Sequence, residues 1–343
     1  MQQNDKKRIT LQDIADRTGY SVNTVSHALR GKNDISQETT EQIRLVAREM
    51  GYTGNQIARS LRSGRTHTIA VILGNLTNPF YGIMADAIQD AAQAKGYTVM
   101  IMCSRDTPEL ELHVAGEAIA RCVDGVLLFP SSASQETMNR LTDAHIPFVL
   151  LSRIPDGCTA DSVVWDETGG ACLATRHLIE SGRRKLVYIA GNDIIYSARH
   201  RIEGFNKACD EAGIPETDRA FLITPDSASD SSWAEKTVQR LIELHAEGFN
   251  GLFIFCDMEA WHILDALNHS DKISQDDFGI VSIDNLEDAL SFPLSLCSIG
   301  YSFKNIAEKS IHLLRKRIHG STDAPQGIVL PVELICRGSC RKH

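Results

Sequence analysis

The chain has 343 residues, 43% of them hydrophobic, and a formal net charge of −9 at pH 7. That length exceeds what one small core serves, so a small domain plus one or two larger ones is expected, and the lack of any apolar run near ~20 residues excludes a membrane-spanning helix. The acidity is segmental: residues 1–65 hold 11 Lys and Arg against 7 Asp and Glu, the remainder 24 against 37, so phosphate contact is left to the N-terminal piece alone.

No export signal precedes residue 10. Cysteines 103, 122, 158, 172, 209, 256, 297, 336 and 340 are scattered, with neither a C-x-x-C pair nor zinc-finger spacing; Cys336 and Cys340 sit closest but without a companion pair. The expectation is a cytoplasmic protein with reduced thiols, no metal and no cofactor.

Thr10 caps a first helix, with Asp13 three residues on as a capping box with a shorter acid. Leu11, Ile14 and Ala15 give this helix an apolar face, and Gly19 ends it. Ser21 caps a second helix, on which Val25, Ala28 and Leu29 point one way and Val22, Asn23, Ser26, His27 and Arg30 the other. The outward face carries hydrogen-bonding groups and no acid, which suits a helix lying in the major groove of DNA. A third helix begins at Ser36, buries Ile43, Val46, Ala47 and Met50, and stops at Gly51. Three surface helices of a larger α domain would show the same spacing. Asn55 is a candidate cap for about two further turns carrying Ala58 and Leu61, too short a helix to persist in water by itself.

These residues resemble the LacI/GalR family of transcriptional regulators. The resemblance rests on Thr10-Leu11-Gln12-Asp13-Ile14-Ala15, Gly19-Tyr20-Ser21, Thr24-Val25-Ser26, Ile35-Ser36, Met50-Gly51-Tyr52 and the Asn55, Ala58, Leu61 spacing. It implies an all-α helix-turn-helix domain over 1–54, a hinge helix and linker over 55–66, and a two-lobed, periplasmic-binding-protein-like α/β domain with parallel sheets over 67–343. The implied DNA-binding set is Thr10, Ser21, Val22, Asn23, Thr24, Ser26, His27, Asn55, Ala58 and Leu61, with Leu61 wedged between base steps in the minor groove. His27 stands where the family usually has an Arg, so the bidentate grip on guanine is replaced by a single donor.

After a polar joint at 62–67 the pattern alternates strand and helix. Apolar β-branched runs at 68–73, 99–102, 125–129 and 147–151 predict buried parallel strands, with helices over 81–95, 108–121 and 134–144. A second set has strands at 163–165, 186–190, 251–255 and 279–283, and helices near 168–181, 198–212, 232–246 and 258–269. The polar stretch 152–162 reads as the first crossover between lobes. The resemblance implies a return to the first lobe for helix 304–319 and a last crossing before a strand near 327–334. The lobes are therefore expected at about 67–160 with 291–320, and about 161–290 with 321–343.

Ligands of open α/β sheets collect at the carboxyl ends of strands, which in two lobes face a shared cleft. That rule selects Asn75, Asn78, Phe80, Tyr81, Ser152, Arg153, Asp166, Arg199, Arg201, Asp257 and Asp284. Arg beside several acids suits a polyhydroxyl ligand, because carboxylates accept from hydroxyls and guanidinium donates to them. In the family, positions matching Ser152, Arg201, Cys256 and Asp284 line the effector cleft. Cys256 replaces a polar residue common in sugar-responsive relatives, and the lid loop Pro225–Ser232 has Ala228 where an aromatic is frequent, with Trp233 nearby.

The resulting expectation is a homodimeric, sequence-specific repressor of a pseudo-palindromic double-stranded operator, controlled by a small polar effector such as a sugar. The residues after Arg337 leave no room for a heptad helix, so a dimer is expected over a tetramer. A plain solute-binding protein would carry an export signal and no helix-turn-helix. An α/β enzyme would show a G-x-G-x-x-G, P-loop, G-x-S-x-G or metal set, and none is present in the sequence.

Overall fold

The computed structural model describes residues 9–53, 64–190, 196–223, 232–290 and 295–340, which fall into two compact units, 1–64 and 65–343. Asn55, Ala58 and Leu61 of the expected hinge, and the lid residues 225–231 including Ala228, lie outside the described residues.

The first unit holds α1 (Leu11–Thr18), α2 (Val22–Leu29) and α3 (Gln37–Glu49). Each start is fixed by a side chain that takes up an otherwise orphaned backbone N–H. Thr10 and Asp13 form a reciprocal capping box on α1, Ser21 accepts from the Thr24 N–H at 3.1 Å, and Ser36 from the Thr39 N–H at 3.2 Å. Gly19, at φ 75°, supplies the left-handed residue that turns α1 into α2. Ile14, Val25, Ala28 and Ile43 are fully buried in the small core between the three helices.

In the second unit the elements follow in order: β1 (Thr68–Leu73), α4 (Pro79–Gln93), β2 (Thr98–Cys103), α5 (Pro108–Ala120), β3 (Gly125–Leu128), α6 (Gln135–Asp143), β4 (Phe148–Leu151) and β5 (Ser162–Trp165). Then come α7 (Glu167–Glu180), β6 (Leu186–Ala190), α8 (Tyr196–Glu211), β7 (Arg219–Ile223), α9 (Trp233–Ala246), β8 (Gly251–Ile254), α10 (Asp257–Asn268) and β9 (Gly279–Ile283). The last are α11 (Leu286–Leu290), β10 (Cys297–Gly300), α12 (Phe303–Ile318), β11 (Gly327–Leu330) and β12 (Glu333–Ile335).

Two six-stranded sheets result, in the orders β11-β5-β4-β3-β1-β2 and β12-β10-β9-β8-β6-β7. Every pairing is parallel except β10 with β12. Central strands such as β1, β3, β6 and β9 are buried on both faces, which is why they read as continuous apolar runs.

The lobe boundaries expected from sequence need correction. β5 stays in the first sheet, with Leu150 opposite Ser162, so the polar 152–162 stretch is a loop within the first lobe. Its turn-forming residues leave either destination open, and the hydrogen bonds to β4 decide. β10 joins the second sheet beside β9, and β11 the first beside β5, the reverse of the expected placement. The expected helix after residue 303 does pack on the first lobe, as α12 against α4. The chain therefore changes lobe next to Asp166, next to Tyr301 and between β11 and β12.

Helices α7 and α8 pack face to face at Gly204. A Cβ there would lie 2.2 Å from the Thr168 carbonyl oxygen and 2.7 Å from Ala171 Cβ, so the backbones themselves must separate. Gly204→Ala is expected to cost about 1–3 kcal/mol or more in urea unfolding; an unchanged midpoint would mean the helices can slide apart freely.

Candidate functional site

On α2, Val22 and Asn23 are exposed, as the sequence reading required, and Ser21 and Thr24 occupy the same end with hydroxyls 2.8 Å apart. Thr10 is exposed, with its hydroxyl in the α1 capping box. Ser26 departs from expectation: it is 9% exposed, lying around α2 next to Leu29, which itself packs against the core. His27 is held by Asp34, with Nδ1 2.6 Å from the carboxylate, and Lys32 Nζ lies 3.5 Å from Nε2. An acid thus reaches the outer side of α2 from the following loop. It fixes the His27 ring, whose remaining nitrogen is directed at a lysine.

In the second unit, the buried centre of the arrangement is an ion pair. Arg201 on α8 donates from Nε to Glu167 at 2.6 Å and from Nη2 to the same carboxylate at 3.1 Å, with both side chains at most 4% exposed. A third donor reaches the Phe255 carbonyl oxygen, and the guanidinium lies 4.4 Å from the Phe255 ring centroid. Fork geometry lets one Arg satisfy a carboxylate and still present its far edge.

Asp284, at the carboxyl end of β9, accepts from the Tyr301 hydroxyl at 2.6 Å. Its φ of 115° is one that side chains rarely adopt, a local strain of the kind that collects at ligand sites. Burial pushes its carboxyl up to about 7, against the lowering pull of Arg201. Glu259, near the start of α10, is likewise raised by burial to about 8, and its Oε2 has no hydrogen-bond partner among the described residues. Tyr301 stacks on Trp165 at 4.2 Å, and Trp165 Nε1 is likewise buried without a hydrogen-bond partner among the described residues.

From the first lobe, Arg153 donates to Asp106 at 3.0 Å and to the Pro130 carbonyl at 3.3 Å, and its Nη2 is 3.5 Å from the Tyr81 hydroxyl. Burial pushes Tyr81 up to about 12. Phe80 packs edge-on against Phe129 and Trp165. Ser152, buried at φ 68°, turns the chain out of β4. Beside Arg153 a cavity of about 470 Å³ opens between lobes, walled by residues 130–135 and 153–156 on one side and by Tyr196 and Arg199 on the other.

The other candidates take the following places. Asn75 is exposed and accepts from the Thr77 N–H at 3.0 Å, and Asn78 caps α4. Asp166 is exposed and caps α7 through the Gly169 N–H at 2.8 Å. Asp257 is spent inside the second lobe, accepting from Ser282, from Ser298 at 2.8 Å and from the Leu286 N–H at 2.7 Å. Its place at a strand's carboxyl end was right, but those donors bind its acceptors within one lobe. Arg199 forms a bidentate, exposed pair with Asp156 of the first lobe, both bonds 2.9 Å. Cys256 is buried at the start of α10, its thiol pushed up by burial. Sequence reasoning missed Glu167, Glu259, Tyr301, Trp165 and Asp106; Glu167 follows directly on Asp166, and Glu259 lies two residues beyond Asp257.

Among the described residues no helix is long and apolar enough to cross a membrane. Residues 10–55 match the bacterial regulatory proteins of the lacI family, and residues 175–340 match the periplasmic binding protein-like domain. The chain is 29% identical over 336 residues to the HTH-type transcriptional regulator DegA of Bacillus subtilis strain 168, covering 97% of this chain and 98% of DegA. Its fold is similar to that of the transcriptional regulator CelR in its cellobiose complex, with a TM-score of 0.69 and 25% identity over 97% of this chain and 100% of that one. It is also similar to the Lac repressor dimer bound to operator and the anti-inducer ONPF, with a TM-score of 0.83 and 22% identity over 98% and 100%. With a lacI-family helix-turn-helix region ahead of a periplasmic-binding-protein-like domain, the chain belongs to the LacI family of DNA-binding transcriptional regulators.

Proposed function

We propose that the chain is a homodimeric repressor of a pseudo-palindromic operator, with a carbohydrate-class effector bound between its two lobes, and that it carries out no catalysis. The observation that carries this reading is the buried set of Arg201 with Glu167, Asp284 with Tyr301, and Glu259, positioned by strand carboxyl ends in a chain that also has the helix-turn-helix. Such a set offers fixed donors and acceptors to a hydroxyl-rich ligand, and the Trp165–Tyr301 stack offers an apolar ring face. The cellobiose held by the similar regulator CelR supports the ligand class. In this reading Ser21, Val22, Asn23, Thr24 and His27 face the operator, residues 1–54 form the reading domain, 55–66 the hinge, and 67–343 the effector and dimerisation domain.

The effector acts only through differential affinity: an inducer must favour the conformation that releases DNA, and a corepressor the one that holds it. The test is capture of genomic fragments by the purified chain, repeated across a panel of sugars and polyols whose binding is followed by thermal shift. Pseudo-palindromic sites are expected, with affinity falling by orders of magnitude between ~50 and ~200 mM salt as counterions are displaced. Capture of no site under any condition, or a stable monomer at micromolar concentration, would overturn the reading.

A further inference from the structure

A second cluster lies at the opposite, amino end of strand β10 in the second sheet. Cys297 opens β10, whereas Asp284 and Tyr301 follow the carboxyl ends of β9 and β10, so a strand length separates the two places. There the fold gathers His177 from α7, Cys297, and Cys340 beyond β12, with ligand atoms all within 4.8 Å of one another. Cys336 Sγ lies 3.5 Å from Cys297 Sγ, at the exposed rim. His177 Nε2 is buried and has no hydrogen-bond partner among the described residues. Sequence spacing could not expose this set, because β10 and α7 bring two of the four residues from far along the chain.

We propose that His177, Cys297, Cys336 and Cys340 form a tetrahedral site for a thiophilic divalent ion of the zinc class. Three thiolates and one imidazole are a common structural zinc donor set, and tetrahedral bonds of about 2.3 Å to sulfur and 2.0 Å to nitrogen hold ligand atoms roughly 3.5–3.8 Å apart. The 3.5 Å between Cys297 and Cys336 already matches; the ligand atoms of His177, Cys297 and Cys340, within 4.8 Å of one another, need to close by about an ångström, and Cys336, outside that group of three, turns in from the rim to complete the set. The backbone is shaped around sulfur: the Arg337 N–H points at Cys297 Sγ from 3.4 Å. Ser339 fastens the same turn, accepting from the Cys297 N–H at 2.7 Å and donating to the Ile280 carbonyl at 2.6 Å. On metal binding Cys340 gives up its thiol proton and the 3.1 Å bond it donates to that carbonyl. The ion ties the C-terminal segment to the sheet and to α7.

The test is titration of the reduced, chelator-treated full chain with Co²⁺, followed by Zn²⁺ competition. Expected are one ion per chain, near-ultraviolet sulfur-to-cobalt charge transfer, visible bands of tetrahedral cobalt thiolate, and displacement by Zn²⁺. Cys336→Ser, at an exposed position, should weaken binding at least tenfold. Cys297→Ser should abolish it, and Cys122→Ser, exposed in the first lobe, should leave it unchanged. Absent tetrahedral bands while all nine thiols titrate as free, full binding by Cys336→Ser, or a Cys297–Cys336 disulfide that persists in the reduced chain would each overturn the proposal.

Discussion

Arg201→Ala should destabilise the chain by about 3–5 kcal/mol, the usual cost of removing one member of a buried ion pair. The deletion leaves Glu167, 1% exposed, with a buried charge and no fork to satisfy it, and strips a donor from the Phe255 carbonyl. Loss of effector response in this variant alone would therefore not separate a ligand contact from a collapsed pocket. The pair Arg201→Met with Glu167→Leu separates them. Replacing both ions by apolar side chains of similar size is often nearly neutral, so urea unfolding should recover most of the lost stability while the effector response stays absent. A double variant that regained the response would remove Arg201 from the binding machinery. A double variant no more stable than Arg201→Ala would show that the pair is needed for packing.

The features that sequence reading found are those decided within a few residues. The Thr10–Asp13 box, the Ser21 and Ser36 caps and the Gly19 turn are local, and all stand in the structure as their residue types require. The doubly buried strands were legible for the same reason, since a run such as Ile69–Leu73 carries its own signature. β10 carries none: Cys-Ser-Ile-Gly has one β-branched residue and becomes a strand because β9 and β12 flank it. With β10 unread, Tyr301 after it was unread too, along with its bond to Asp284. β7, an edge strand with alternating burial, was lost similarly.

The site shows the same division. The carboxyl-end rule found Arg153, Arg201 and Asp284, each of which follows a recognisable strand or sits in a conspicuous Arg-rich segment. It could not distinguish them from Asp257, since occupation by Ser282, Ser298 and the Leu286 N–H is a property of packing. Nor could it supply partners. Glu167 and Asp106 pair with Arg201 and Arg153 across 34 and 47 residues of chain, so charge near a strand end marks a neighbourhood and leaves the pairing to the fold.

Asp284→Asn should remove one component of the pH dependence of stability. An Asp in the unfolded chain titrates near 3.9, whereas burial raises the folded Asp284 to about 7. Below about pH 4 both states hold the proton. Between about 4 and 7 the folded state keeps it and the unfolded state has lost it, so stability falls as pH rises through that window and levels off above. Three units correspond to a loss on the order of 4 kcal/mol from this group, and Glu259, raised to about 8, adds a decline of the same sign. An amide cannot ionise and still accepts from the Tyr301 hydroxyl. Asp284→Asn should therefore match the parent chain near pH 4 and exceed it in urea midpoint at pH 8, with the remaining decline belonging to Glu259. The same variant should bind a hydroxyl-rich effector less tightly at pH 8, where the parent presents a full carboxylate to accept from a hydroxyl. Parallel pH profiles for variant and parent would mean that Arg201 already holds Asp284 ionised throughout, and the pair would then act as a fixed charge grip insensitive to pH.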